Sequence, residues 1–137
     1  MIVGAYHTAG QSNRLHEKPY PWPEHLEHVT AKDPTALLGE LDGAIREKDQ
    51  ARASAVVQRY GEAGHPARAV LDLLLKYGVS EDGALHAEKY YCTVAEEFTA
   101  TRPAFRWRQL VALARVTASE YGRPAPGFTQ ACELLKV

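Results

Sequence analysis

The amino-acid sequence predicts an all-α protein: one domain over residues 1–137, with five to six helices in antiparallel hairpins around a central buried helix at about residues 104–121. Apolar residues recur every three or four positions through most of the chain, as on the buried face of a helix. No stretch alternates apolar and polar residues as a half-exposed strand does. Hydrophobic residues make up 45% and charged residues 24% of the chain, which is typical of a globular domain.

The first 32 residues are predicted to form an N-terminal helix followed by a proline-rich strap. Ile2, Tyr6 and Ala9 have helical spacing, and no capping residue precedes them. An uncapped start is typical of a fragment of a longer protein, or of a naturally short leader. Between Pro19 and Pro23 every second residue is proline, which opposes helix and sheet hydrogen bonding and favours an extended strap.

Residues 33–137 are predicted to form the helical core. Asp33 and Asp49 each precede an apolar repeat and are predicted to cap a helix. Gly39 and Gly43 each weaken the first of these helices by up to about 1 kcal/mol, so close packing of a neighbour is expected there. A third helix is predicted at about residues 66–78. Near the C-terminus, a loop rich in glycine and proline at about residues 122–127 is predicted to precede a short last helix at about residues 128–135.

Residues 82–121 are predicted to form a hairpin of two long helices that is broken at Pro103. The second helix carries apolar residues on two faces, so it is predicted to be the central helix, buried against neighbours on both sides. The first helix has a single core face with a period of 3.6 residues, made by Ala84, Ala87, Tyr91, Val94, Ala95 and Phe98.

Composition and motifs argue against several classes of function. The formal net charge is −1, so nucleic acid is not an expected partner. No apolar stretch approaches the roughly 20 residues of a membrane span, and the start lacks the pattern of a signal peptide, so a soluble, cytoplasmic protein is expected. Cys92 and Cys132 are predicted to be reduced, buried thiols. There is no nucleotide or flavin motif and no serine-hydrolase elbow.

One polar stripe on the predicted hairpin is a candidate catalytic site. His86, Tyr90, Thr93 and Glu97 follow one another at helical spacing beside the core face. An imidazole, a phenol and a carboxylate in line can orient a substrate or transfer a proton, which makes His86, Tyr90 and Glu97 candidate catalytic residues. The alternative is a polar flank that meets solvent or a neighbouring helix.

Other histidines are candidates for ligand or metal binding. His7 and Asn13 lie in a run of small hydrogen-bonding residues and are candidate ligand-binding residues, and His7 with His86 would supply two metal ligands if the segments met. His25 and His28 would share a face if their segment were helical, and could then also hold a divalent metal. The alternatives are polar groups that satisfy the backbone near the N-terminus, and a solvated surface turn.

Three arginines at the break of the hairpin are interleaved with two aromatic residues. Such a pattern can bind phosphate or bases. Carboxylates on the preceding helix offer salt-bridge partners, and the net charge is close to zero, so a structural role is favoured. The residues concerned are Arg102, Phe105, Arg106, Trp107 and Arg108, with Glu96 and Glu97 before them.

Two spaced patterns stand far apart in the chain: H-T-x-x-x-x-N-x-L at residues 7–15 and E-D-x-x-x-H at residues 81–86. Together they resemble a helical segment of bacterial proteins that accompany Rieske iron-sulfur domains. The chain is not itself such a domain, because neither cysteine belongs to a C-x-H or C-x-x-H ligand pair. The resemblance implies a helical companion in a redox setting, with three residues of interest: His7, Asn13 and His86.

Two functions of different classes therefore stay open. The first is a non-catalytic companion or interaction domain, with another protein or domain as partner. The second is a metal- or small-molecule-binding enzyme domain with a pocket of histidine, tyrosine and glutamate side chains. For the second, a divalent metal is the candidate cofactor.

Overall fold

The computed structural model describes residues 20–80, 86–124 and 127–136. Within those ranges there is no strand, which confirms the predicted all-α class. None of the helices described is long and apolar enough to cross a membrane. The seven α-helices described are α1 (Pro23–Glu27), α2 (Pro34–Arg46), α3 (Gln50–Glu62), α4 (Ala67–Gly78), α5 (Ala87–Ala100), α6 (Arg106–Glu120) and α7 (Phe128–Leu135). A 3₁₀ turn at Pro103–Phe105 precedes α6.

Both predicted aspartate caps are confirmed. The Asp33 carboxylate accepts a hydrogen bond from the backbone N–H of Ala36 at 2.8 Å, and Asp49 accepts one from the N–H of Arg52 at 2.9 Å. Each bond satisfies a backbone donor that the first turn of a helix leaves without an intrahelical partner. The starts of α2 and α3 are therefore fixed by local chemistry.

Helix α6 is the centre of the fold, as predicted. It packs against α2, α3, α4 and α5. It begins at Arg106 rather than at 104, because Pro103–Phe105 form the 3₁₀ turn. Its fully buried residues are Leu110, Val111, Leu113, Ala114 and Ala118, and they meet the apolar faces of α2, α3 and α4 in one core.

The close packing expected at Gly39 and Gly43 is wrong. A Cβ built on Gly39 has no atom within 4 Å, and one on Gly43 meets only a guanidinium nitrogen of Arg52 at 3.9 Å. The close approach occurs instead at Gly61 in α3, where an added Cβ would lie less than 3.0 Å from carbons of the Trp107 indole. Of these three helical glycines, only Gly61, in the last turn of α3, is explained by close packing.

The strap is not extended throughout. Residues 23–27 within it form α1, and Pro23 occupies the first position of that helix, where a proline costs no hydrogen bond. Two predicted segments lie outside the described residues. They are the helix within residues 1–16 and the start of the first hairpin helix, at residues 81–85.

The outer helices are less buried than the sequence predicts. No residue of α5 is fully buried, although Tyr91, Val94 and Phe98 pack against the core. Cys92 lies on the outside of α5, so the prediction of a buried thiol is wrong for this residue. Cys132 is half-buried, and both cysteines are free thiols.

Candidate binding site

A groove of about 1130 Å³ lies between the strap, α3 and α6. We call it the strap groove. Its walls are largely apolar, with amide, carboxylate and guanidinium groups at intervals, which is the usual composition of a ligand site. The described residues that line it are Tyr20, Pro21, Pro23 and Leu26 of the strap and α1, Gln50, Gln58, Gly61 and Glu62 of α3, and Trp107, Arg108, Val111, Ala112, Arg115, Val116 and Ser119 of α6.

The groove follows the seam between α3 and α6. At one end of the seam, Nε of Arg115 donates a hydrogen bond to the amide oxygen of Gln50 at 3.3 Å. At the other end, the Trp107 indole lies directly over Gly61. The start of α3 thus meets the end of α6, and the two helices run in opposite directions along their contact.

Trp107 closes one end of the groove. Its ring packs 6.2 Å from Tyr60 and 6.0 Å, edge to face, from Phe98, measured between ring centroids. Aromatic contacts in this distance range are favourable beyond the area that they bury. The absence of a side chain at Gly61 and these two rings together hold the indole against α3.

The strap is attached to the helices at two points. The Arg115 guanidinium lies over the Tyr20 ring at 4.3 Å from the centroid, within the range of a cation–π contact. Arg59 donates hydrogen bonds from Nε and Nη2 to the carbonyl oxygen of Leu26, at 3.4 and 3.3 Å. Burial raises the pKa of Tyr20 despite the opposing charge of Arg115, so its phenol is neutral at physiological pH.

The charges in the groove are unevenly paired. The Glu62 carboxylate accepts hydrogen bonds from Arg59 at 2.9 Å and from the Gln58 amide at 2.8 Å. Neither Arg108 nor Arg115 forms an ion pair within 4.0 Å among the residues described. With the negative charge of Glu62 balanced by Arg59, the groove presents two guanidinium charges.

A second cavity, of about 20 Å³, has room for about one water molecule. It is bordered by four tyrosines: Tyr77, Tyr90, Tyr91 and Tyr121. We call it the tyrosine cavity. Its size excludes a substrate larger than water, so it does not provide a second ligand site.

Tyr77, beside this cavity, connects α4 to α2. Its phenol donates a 2.6 Å hydrogen bond to Asp42, whose other oxygen accepts one from Arg46 at 2.7 Å. Burial raises the pKa of Tyr77, and the Asp42 carboxylate raises it further. Burial alone would raise the pKa of Asp42, but the bonds from Tyr77 and Arg46 and the charge of Lys76 outweigh it and lower that pKa. This network links helices and holds Asp42 ionised.

The predicted catalytic stripe lies on the solvent side of α5. His86 precedes the first residue of the helix, and its ring lies edge to face with Tyr90 at 6.1 Å between centroids. Tyr90 borders the tyrosine cavity but is 42% exposed. Glu97 is exposed and accepts a 3.3 Å hydrogen bond from Thr101. The structure therefore brings His86 and Tyr90 together but does not enclose either of them.

Two of the predicted metal ligands, His25 and His28, lie at α1. His25 uses Nδ1 to accept a hydrogen bond from the backbone N–H of Trp22 at 3.2 Å, and its ring stacks on that indole. His28 is exposed just after α1. No group of three or more histidine, cysteine or acidic side chains suited to a metal occurs among the described residues. His7 and Asn13 lie outside those residues, so their roles stay predictions.

The arginines at the hairpin break have structural contacts. Arg106 donates hydrogen bonds to the carbonyl oxygens of Thr101 at 3.0 Å and Thr99 at 3.4 Å, at the end of α5. Arg102 and Arg108 both lie over the Phe105 ring, at 5.3 and 5.5 Å from its centroid. The expected salt bridges with Glu96 and Glu97 are absent from the described residues, because these arginines contact carbonyl groups and the aromatic ring.

The groove residues Gln50 and Arg115 were not identified from the sequence. A partial signal for α6 is present, since Arg108, Ala112, Arg115 and Ser119 recur at helical spacing on the less apolar side of that helix. Nothing local to residues 20–26 indicates that this segment lies beside them.

No protein-family model, no curated protein and no solved structure matches this chain. The functional conclusion therefore rests on the geometry of the groove and on its charges.

Proposed function

We propose that the protein is a non-catalytic interaction domain whose strap groove binds an extended segment of a partner protein. The observation that carries this proposal is the length of the groove. Its lining extends along α6 from Trp107 to Ser119, which are twelve positions apart, and this separation corresponds to roughly 18 Å at 1.5 Å per residue. A fully extended peptide of about five or six residues spans that distance.

The composition of the groove supports binding rather than catalysis. Aromatic and apolar side chains line most of it, and its polar groups include guanidinium and amide groups that can orient a peptide backbone or side chain. None of the predicted catalytic residues, His86, Tyr90 and Glu97, lines it. The enzyme alternative and the redox setting implied by the Rieske-associated resemblance stay predictions that depend in part on His7 and Asn13.

Peptide selection tests the proposal. Ala112 is exposed on the α6 wall, so Ala112→Trp is expected to fill the groove without disturbing the core. Ala36→Trp is the matched control, because Ala36 is exposed on α2 and lines neither cavity described. Short random peptides displayed on phage should be enriched on the immobilised wild-type protein and on Ala36→Trp, and lost on Ala112→Trp. Equal enrichment on all three proteins would contradict the proposal.

A further inference from the structure

The two guanidinium groups in the groove indicate which peptides it selects. We infer that the partner segment is acidic, with carboxylates that pair with Arg115 and Arg108; this inference rests on the proposed function. Of the nine arginines in the described residues, five lie within 4.0 Å of a carboxylate: Arg46, Arg52, Arg59, Arg68 and Arg123. Of the other four, Arg102 and Arg106 lie outside the groove lining. Arg108 and Arg115 lack such a partner among the described residues, although both line a largely apolar groove.

Arg115 is held in place for this role. Its Nε donates to Gln50, and its Cζ lies over the Tyr20 ring, so the side chain is held by two contacts and is half-buried. The Nη nitrogens of a guanidinium fixed in this way remain available to a carboxylate. Because the side chain is already ordered, binding loses less conformational entropy than it would with a mobile lysine.

The spacing of the two arginines sets the spacing of the carboxylates. Arg108 and Arg115 are seven residues apart on α6, which places them on one side of the helix and about 10.5 Å apart along its axis. Acidic residues two to four positions apart in an extended chain are separated by about 7–13 Å, within reach of both guanidinium groups. A peptide with two acidic residues at such a separation fits the groove.

Charge also argues against the chain's own N-terminal residues as the occupant. Residues 1–19 contain Arg14, Glu17 and Lys18 as their only charged side chains, which sum to +1. A segment of that sign does not complement the two guanidinium charges. An acidic segment of a partner protein does.

The experiment compares the sequences selected by wild-type and variant proteins. Peptides that depend on an open groove, as defined by their loss on Ala112→Trp, should be enriched in aspartate and glutamate. Arg115→Gln and Arg108→Gln should each remove that enrichment and weaken a selected acidic peptide about tenfold to a hundredfold, as measured by fluorescence polarisation. Arg68→Gln, on α4 in an exposed pair with Asp72 and outside the groove lining, is the matched control and should have no effect.

Further measurements separate the outcomes. Arg115→Lys should bind the acidic peptide more tightly than Arg115→Gln does, because it keeps the positive charge. The affinity of the wild-type protein for that peptide should fall as salt is added. Circular dichroism checks that each variant is folded. If the selected peptides depend on the groove but show no preference for acidic residues, the inference of an acidic partner is wrong and the proposed peptide-binding function still holds. If enrichment is the same on Ala112→Trp, both the proposed function and the inference of an acidic partner are wrong. A synthetic peptide of residues 1–19 that binds more tightly than the acidic peptides would overturn this inference in favour of the chain's own segment.

Discussion

Replacing Gly61 by alanine tests the packing that closes one end of the groove. Two effects of opposite sign compete. Within a helix, alanine is favoured over glycine by up to about 1 kcal/mol, and Gly61 lies in the last turn of α3. At Gly61, however, the new Cβ would lie less than 3.0 Å from the Trp107 indole, and overpacking of this kind costs about 1–3 kcal/mol. Because Tyr60 and Phe98 hold the indole, we expect the overlap to prevail and Gly61→Ala to destabilise the protein.

Gly39→Ala is the matched control. Gly39 lies in the middle of α2, and a Cβ there meets no atom within 4 Å, so alanine should stabilise the protein by about 0.5–1 kcal/mol. The difference between the two variants in the free energy of unfolding isolates the overlap and should be about 1–3 kcal/mol. Urea unfolding followed by the helical signal in circular dichroism measures it.

A third variant decides the cause. In a Trp107→Leu background the overlap is relieved, so Gly61→Ala should become stabilising, as Gly39→Ala is. If Gly61→Ala stabilises the wild-type protein as much as Gly39→Ala does, the indole does not lie against α3 and the description of this end of the groove is refuted.

Two further predictions concern stability. Tyr77→Phe removes a hydrogen bond to the ionised Asp42 and should cost about 1.5–3 kcal/mol in urea unfolding at neutral pH. The pKa of Asp42 is lowered in the folded protein, so its contribution is present above the unfolded pKa and is lost as the pH falls through the folded pKa. Because Tyr77 helps to lower that pKa, stability should fall less steeply below about pH 4 in Tyr77→Phe than in the wild type; equal slopes would contradict the assigned network. Asp49→Ala removes the cap of α3 and should cost about 0.5–2 kcal/mol, whereas Asp49→Ser should recover most of it. No loss in the alanine variant would mean that the cap does not hold the start of this helix.

Helix starts were predictable because they depend on neighbours in the chain. Asp33 and Asp49 bond to N–H groups three residues further on, so the sequence contains the whole interaction. The two apolar faces of α6 likewise predicted its central position, since periodicity reports how many sides of a helix are covered. Glycine spacing gave no such information. The sequence placed Gly39 and Gly43 inside a helix and Gly61 at the possible end of the next one, but only the position of Trp107 shows which of them is closely packed.

The candidate site was much less predictable than the fold. His86, Tyr90 and Glu97 have helical spacing in the sequence, but periodicity does not say whether a polar stripe faces solvent or a cavity. The ligand- and metal-binding roles of His7 and Asn13 stay predictions. The groove was missed because its walls come from three segments that are far apart in the chain.

The sequence by itself determined the class of fold, the caps of α2 and α3 and the central place of α6. These features follow from spacing and hydrogen bonding within a few residues. Only the tertiary structure decided which side of α6 lines the strap groove, because that depends on contacts such as Gln50 with Arg115, 65 residues apart. The physical reason is that a helix exposes its polar side in the same way to solvent, to a neighbour and to a groove, and only the packed neighbours distinguish them.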